Sequence, residues 1–124
     1  MKVLLSIKPE FVKKILSGEK KYEYRRIIFK DKSVKTIVIY STLPVGKVVG
    51  EIEIDNIINE NVNLLWEKTK TYSGISHEYF QSYFNGKENG YAISFKNVTT
   101  YEKPMSLSEI SKDMHAPQSF CYIN

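Results

Sequence analysis

Gly18-Glu19-Lys20-Lys21-Tyr22-Glu23-Tyr24-Arg25-Arg26 is the stretch that decides how the rest of the chain is read. It follows a short amphipathic run and carries charge of both signs through a strand-like segment. Alternation with period two from Lys21 places Lys21, Glu23 and Arg25 on one face and Tyr22, Tyr24 and Arg26 on the other. A carboxylate flanked by cations can hold a phosphate through Arg and Lys, orient Arg25 through Glu23, or set an amine beside a base. The competing reading is a solvated strand face whose charges contribute little energy.

Upstream, Lys2 to Ile7 reads as a strand and Pro9 opens a helix, because proline fits the first helical turn. Phe11, Val12, Ile15 and Leu16 recur at helical spacing, and Gly18 stands where a left-handed cap ends the helix. The turn over Gly18 to Lys20 then offers a way to aim Lys20 into a cleft that the strand's own alternation does not reach.

Downstream, a polar basic connection over 29–35 leads to a strand at Thr36 to Tyr40, and Pro44 and Gly46 mark the loop after it. Ser41 and Thr42 at that strand end can donate to a phosphate or simply bond nearby backbone. Val48 to Ile58 alternates with one acidic face (Glu51, Glu53, Asp55), and Gly50 suggests a bulge. Short helices are expected after Asn61 or Asn63 and after Ser76. The segment Lys70 to Ile75 between them reads as a surface loop, and His77 as exposed without a partner. Phe80 and Phe84 are assigned to the core, whereas Trp66, Tyr72 and Tyr79 are open between core packing and base stacking. A strand over Tyr91 to Val98, a capping box from Ser106 to Glu109 and a final extended segment after Pro117 complete the chain. Gln118 and Ser119 read either as base-contacting or as loop anchors.

Composition sets the outer limits. With 124 residues, 42% hydrophobic and 26% charged, the sequence fits one globular domain over 1–124. No apolar run is long enough for a membrane helix and no signal core follows Met1, so a cytoplasmic location and no membrane partner are expected. The lone Cys121 excludes an internal disulfide and a multi-cysteine metal site, and no paired His has metal spacing; no cofactor and no metal are expected. The net charge of +4 is unevenly spread: residues 1–50 hold twelve Lys and Arg against four Asp and Glu, and 51–124 hold six against ten. The basic half would attract phosphates in a salt-dependent way, though solubility alone explains such a surface equally well.

Gly18, Lys20, Glu23 and Arg25 match the Gly-x-Lys-x-x-Glu-x-Arg signature of ASCH domains. The likeness runs on through Val38 to Pro44, Val48 to Glu51 and Pro117 to Phe120, so the sequence resembles that family over nearly its whole length. The resemblance implies an α+β fold, a PUA-like β-barrel of about five or six strands with short helices at the rim. It also implies a cleft lined by the signature and a role in binding RNA or a nucleotide, in RNA metabolism or transcription regulation. Other members are amidohydrolases that deacylate N4-acetylcytidine, and nuclease activity is attributed to others. In the amidohydrolases the cleft lysine, matched here by Lys20, is followed three residues later by threonine and complemented by a loop glutamate. This chain has Glu23 at the threonine position and Ser73 near the glutamate position, departures that count against deacylation by the same mechanism.

Two functions follow. As a binding module, Arg25 or Lys20 grips a phosphate, Tyr40 or Tyr72 stacks on a base, and Glu23 orients Arg25 or accepts from a base amine. As a hydrolase or ribonuclease, Lys20 and Glu23 form the catalytic pair, with Ser41 or Ser73 positioning the substrate. A protein partner on the acidic residues 51–60 is a third possibility. The balance of the sequence favours binding.

Overall fold

The computed structural model describes residues 1–124. Six strands, β1 (Lys2–Ile7), β2 (Tyr22–Arg25), β3 (Thr36–Ser41), β4 (Lys47–Asn61), β5 (Asn89–Met105) and β6 (Phe120–Ile123), form one mixed sheet in the order β2-β5-β4-β3-β1-β6. Four helices, α1 (Pro9–Ser17), α2 (Val62–Thr69), α3 (His77–Tyr83) and α4 (Leu107–Ile110), fill the connections, with a 3-10 turn at Lys70–Tyr72. The fold is α+β, as expected.

The ladder does not close, because β2 and β6 are the two edges of the sheet. Yet Arg25 of β2 donates from Nη2 to Ser119 O (2.9 Å) and Ser119 Oγ (3.0 Å), one residue before β6. The sheet therefore curls until its edges meet through side chains, a barrel-like layer with an open seam. The long β4–β5 pair makes the curl possible. Its register shifts at Val48/Gly50, Glu53/Ile54 and Ile54/Asn56, and such irregularities bend a strand. At Gly50 the β5 backbone comes so near that a Cβ would lie 2.4 Å from Thr99 O.

Helix α1 forms as its spacing predicts. Pro9 occupies the first turn, Val12 and Ile15 are buried, and Gly18 at φ +87° ends the helix by donating its N–H to Ile15 O. Inside the curl, Val3, Leu5, Ile7, Val12, Ile15, Ile37, Ile39, Ile52 and Ile93 make the main core. A second cluster joins Tyr24 and Ala92 to Leu65, Phe80 and Phe84, which fixes α2 and α3 over β2. At about 25 cal/mol per Å² of apolar surface, such side chains supply most of the drive to fold.

Four expectations are corrected. Strand β5 runs past Val98 to Met105, and β4 runs past Ile58 to Asn61, since each pairs with the other along most of its length. Lys21 does not share the face of Glu23 and Arg25. It precedes β2, its N–H donates to Tyr72 O, and its exposed ammonium lies 4.2 Å from the centre of the Tyr72 ring. His77 is exposed but has a partner, the Trp66 indole, stacked at 4.8 Å and 9°. The capping box is present, with Glu109 Oε2 accepting from Ser106 N–H, and Phe80 and Phe84 are core residues. The final segment docks back as β6, antiparallel to β1. No helix is long and apolar enough to cross a membrane.

Candidate functional site

The seam between β2 and β6 opens into a cavity of about 470 Å³. One wall comes from β2 and the turn before it, with Lys20, Glu23, Tyr24 and Arg25. The opposite wall comes from the end of β1 and the segment before β6, with Ser6, Gln118 and Ser119; Phe11 of α1 and Tyr79 and Tyr83 of α3 add aromatic surface. Lys8 and Arg26 lie at its exposed margin. This volume falls in the range that binds one small ligand or one nucleotide unit, ~300–1,000 Å³.

Lys20 is placed by the glycine stop. With Gly18 left-handed, the chain folds back so that Lys20 N–H donates to Lys14 O at 3.0 Å, and the side chain enters the protein. Only 2% of Lys20 is exposed. Its Nζ donates to Ser73 O at 2.7 Å and sits 4.8 Å from the Tyr24 ring centre and 5.4 Å from that of Phe11. Burial lowers its pKa from 10.5 to about 8; Glu23 opposes the fall and the Lys14 charge adds to it. Lys20 thus loses its proton closer to neutrality than an exposed lysine does.

Glu23 and Arg25, both on β2, form an ion pair, Arg25 Nη1 donating to Glu23 Oε2 at 3.2 Å, with side chains 9% and 11% exposed. The second guanidinium nitrogen bridges the seam to Ser119, so Arg25 is fixed at both ends. Tyr24, between them in sequence, stands edge-on to Phe80 at 5.1 Å and shares a 2.7 Å hydrogen bond with Thr69 Oγ1. Burial pushes its phenol up to about 12, so it remains neutral. Lys8 Nζ donates to Tyr79 OH at 3.3 Å, and Arg26 Nη1 donates to the Tyr83 and Asn85 carbonyls at the end of α3. No group of three or more His, Cys, Asp or Glu gathers anywhere in the chain.

Of the residues singled out in sequence, Lys20, Glu23, Arg25 and Gln118 meet at the cavity. Ser73 lies behind it, buried, giving its carbonyl to Lys20 and its hydroxyl to Ile75 O. Three do not join them. Tyr40 is 6% exposed and packs with Leu4, Val38 and Val48, because it shares with Val38, two residues before it, the face of β3 that lies in that cluster. Ser41 is buried in the β1–β3 ladder opposite Ile7, and Tyr72 lies on the outer surface over Lys21. Tyr79 and Ser119, for which the sequence leaves base contact open, join the lining, as do Phe11 and Tyr83. Nothing local marks Phe11 or Tyr83 as facing β2, which only the three-dimensional curl provides.

A family model described as the ASCH domain matches residues 5–104. The chain is 32% identical over 123 residues to an ASCH domain-containing ribonuclease of Zymomonas mobilis, covering 97% of this chain and 82% of that one. It is 30% identical over 90 residues to a large ribosomal subunit protein uL22 of Ureaplasma parvum, where 73% of this chain spans only 29% of the relative. The crystal structure of ASCH from Zymomonas mobilis superposes with a TM-score of 0.91 at 31% identity, over 99% of this chain and 87% of that one. The open six-stranded curl, the signature at its seam and these likenesses agree: the chain belongs to the ASCH domain family.

Proposed function

We propose that this chain, a single ASCH domain over 1–124, binds single-stranded RNA at the seam and cleaves the phosphodiester seated there. The observation that carries the reading is the meeting, in one nucleotide-sized cavity, of a buried amine and a carboxylate–guanidinium pair. Aromatic rings of Phe11, Tyr79 and Tyr83 offer faces for an unstacked base, which a single strand can present and a duplex cannot. The ribonuclease name of the Zymomonas relative supports the same reading.

The chemistry needs only the chain's own groups. Glu23 takes the proton of the ribose 2′-hydroxyl, whose oxygen bonds to phosphorus while the bond to the 5′-oxygen breaks. Lys20, as ammonium, gives its proton to that leaving oxygen, and Arg25 stays charged against the phosphoryl oxygens. The product ends are a 2′,3′-cyclic phosphate and a 5′-hydroxyl.

Incubation of labelled single-stranded RNA, the matching DNA and duplex RNA with wild type and Lys20→Met tests this. Single-stranded RNA is expected to be cut to cyclic-phosphate ends, DNA and duplex to survive, and Lys20→Met to be inactive. Salt-sensitive RNA binding without any cut by the wild type would reduce the function to binding. The dry amine of Lys20 favours one second reading, deacylation of N4-acetylcytidine; turnover of that nucleoside with RNA left intact would replace the ribonuclease.

A further inference from the structure

The segment 72–75 meets Lys20 at two points and its neighbour Lys21 at a third. Ser73 O accepts from Lys20 Nζ, Tyr72 O accepts from the N–H of Lys21, and Gly74 lies against the aliphatic stem of Lys20. Gly74 has φ +70°, and a Cβ there would lie 2.6 Å from Lys20 Cβ and Cγ, so only glycine lets the stem pass. The backbone of 72–75 lies outside any regular element except for the end of the 3-10 turn, and Ile75 beyond it lines the cavity. What fastens this segment to α1 is Lys14, whose Nζ donates to Gly74 O at 3.0 Å while its own carbonyl accepts from Lys20 N–H.

From this arrangement we infer that Lys14 is a positioning residue of the site: its grip on the Gly74 carbonyl closes residues 72–75 around Lys20 and fixes where the Lys20 ammonium is held. The inference deepens the proposed RNA cleavage and rests on it for its consequence, though not for its geometry. Lys14 makes no side-chain bond to Lys20 and does not line the cavity; it acts on Lys20 through the Gly74 carbonyl and through its charge. With the grip released, water reaches the amine and the nearby positive charge is gone, and both changes favour the protonated amine. The ionisable groups that face Lys20 are Lys14 from α1 and Glu23 and Tyr24 from β2. Tyr24 stays neutral and Glu23 is unchanged by the substitution, so Lys14 is the one that varies.

The test follows Lys20 by NMR titration of protein labelled at lysine Cε, alongside the pH profile of RNA cleavage. The variants are Lys14→Met, Lys14→Arg and, as a control on the exposed face of the same helix, Lys13→Met. In Lys14→Met the Lys20 midpoint is expected to rise from about 8 toward 10.5, and the alkaline fall in cleavage to move up with it. Lys14→Arg and Lys13→Met are expected to retain the wild-type midpoint. A folded Lys14→Met with the wild-type midpoint would overturn the inference, as would an equal shift in Lys13→Met. A merely structural Lys14 would change melting temperature and leave the midpoint alone. If the wild type cuts no RNA, the proposed function falls while the titration still decides the role of Lys14.

Discussion

Two clusters in this molecule combine the same ingredients, a carboxylate, a lysine and a tyrosine, and they differ in chemistry because they differ in burial. On the outer sheet, Glu51 accepts from Lys2 Nζ at 3.2 Å and from Tyr101 OH, with Lys2 43% and Glu51 27% exposed at the side chain. At the seam, Lys20 and Glu23 are almost wholly covered and face a cavity. Water screens the first cluster, so its lysine serves only to decorate a strand. Exclusion of water at the second moves an amine into the pH range where protons are exchanged. Residue type alone does not separate the two; a concave, dry surrounding does.

The contrast is sharpest in activity. Glu23→Gln is expected to lower RNA cleavage by about 10²–10⁴-fold, the usual contribution of a positioned acid or base, whereas Glu51→Gln leaves it at the wild-type rate. Equal losses in both, measured as single-turnover rates, would erase the distinction.

Stability offers the next separation. A fall in pKa from 10.5 to about 8 corresponds to about 3 kcal/mol by which the fold disfavours the charged Lys20. Lys20→Met is therefore expected to be more stable than wild type by about 1–3 kcal/mol at pH 7 in urea denaturation, less the lost bond to Ser73 O. The folded pKa lies below the unfolded one, so the unfolded chain holds more protons between pH 8 and 10.5. Wild type gains stability across that window, and the advantage of the methionine shrinks there. A destabilised Lys20→Met at pH 7 would contradict the account. Lys2→Met, removing a half-exposed ion pair, is expected to change stability by less than about 1 kcal/mol at any pH.

Gly74→Ala gives a smaller effect confined to the seam. The new methyl group meets the Lys20 stem and the left-handed backbone resists it, so a loss of about 1–2 kcal/mol accompanies displacement of the Lys20 resonance. On the outer sheet, Tyr101→Phe is expected to have the smallest effect at neutral pH, below about 1 kcal/mol. Burial and Glu51 raise the Tyr101 phenol above its ordinary value, so its contribution is present below pH 10 and is lost as pH rises beyond. The phenylalanine variant is expected to lose less stability than wild type above pH 10.

Much of this was legible in the chain. Pro9, the Phe11-Val12-Ile15-Leu16 spacing and Gly18 specify α1 locally, and the signature from Gly18 to Arg25 identifies the family and four residues around the seam. Local pattern failed where long-range geometry decides. Alternation assigned Lys21 to the charged face and left Lys20 to the turn, and only the 72–75 segment, more than fifty positions away, shows which lysine turns inward. Tyr40 and Ser41 looked like a strand end beside a loop, but parallel pairing with β1 buries them. Phe11 of α1 and Tyr83 of α3 read as ordinary core-facing residues, and Tyr79 could not be decided, because a helix that walls a cavity has the same periodicity as one that packs solid.

The unclosed seam has one more consequence. Across it run bonds from a single guanidinium to Ser119, where other neighbouring strands share a backbone ladder. Whatever occupies the cleft becomes a rivet between the first third of the chain and its last few residues. Occupancy will therefore be readable without any chemistry, as slowed amide exchange along β2 and β6 together.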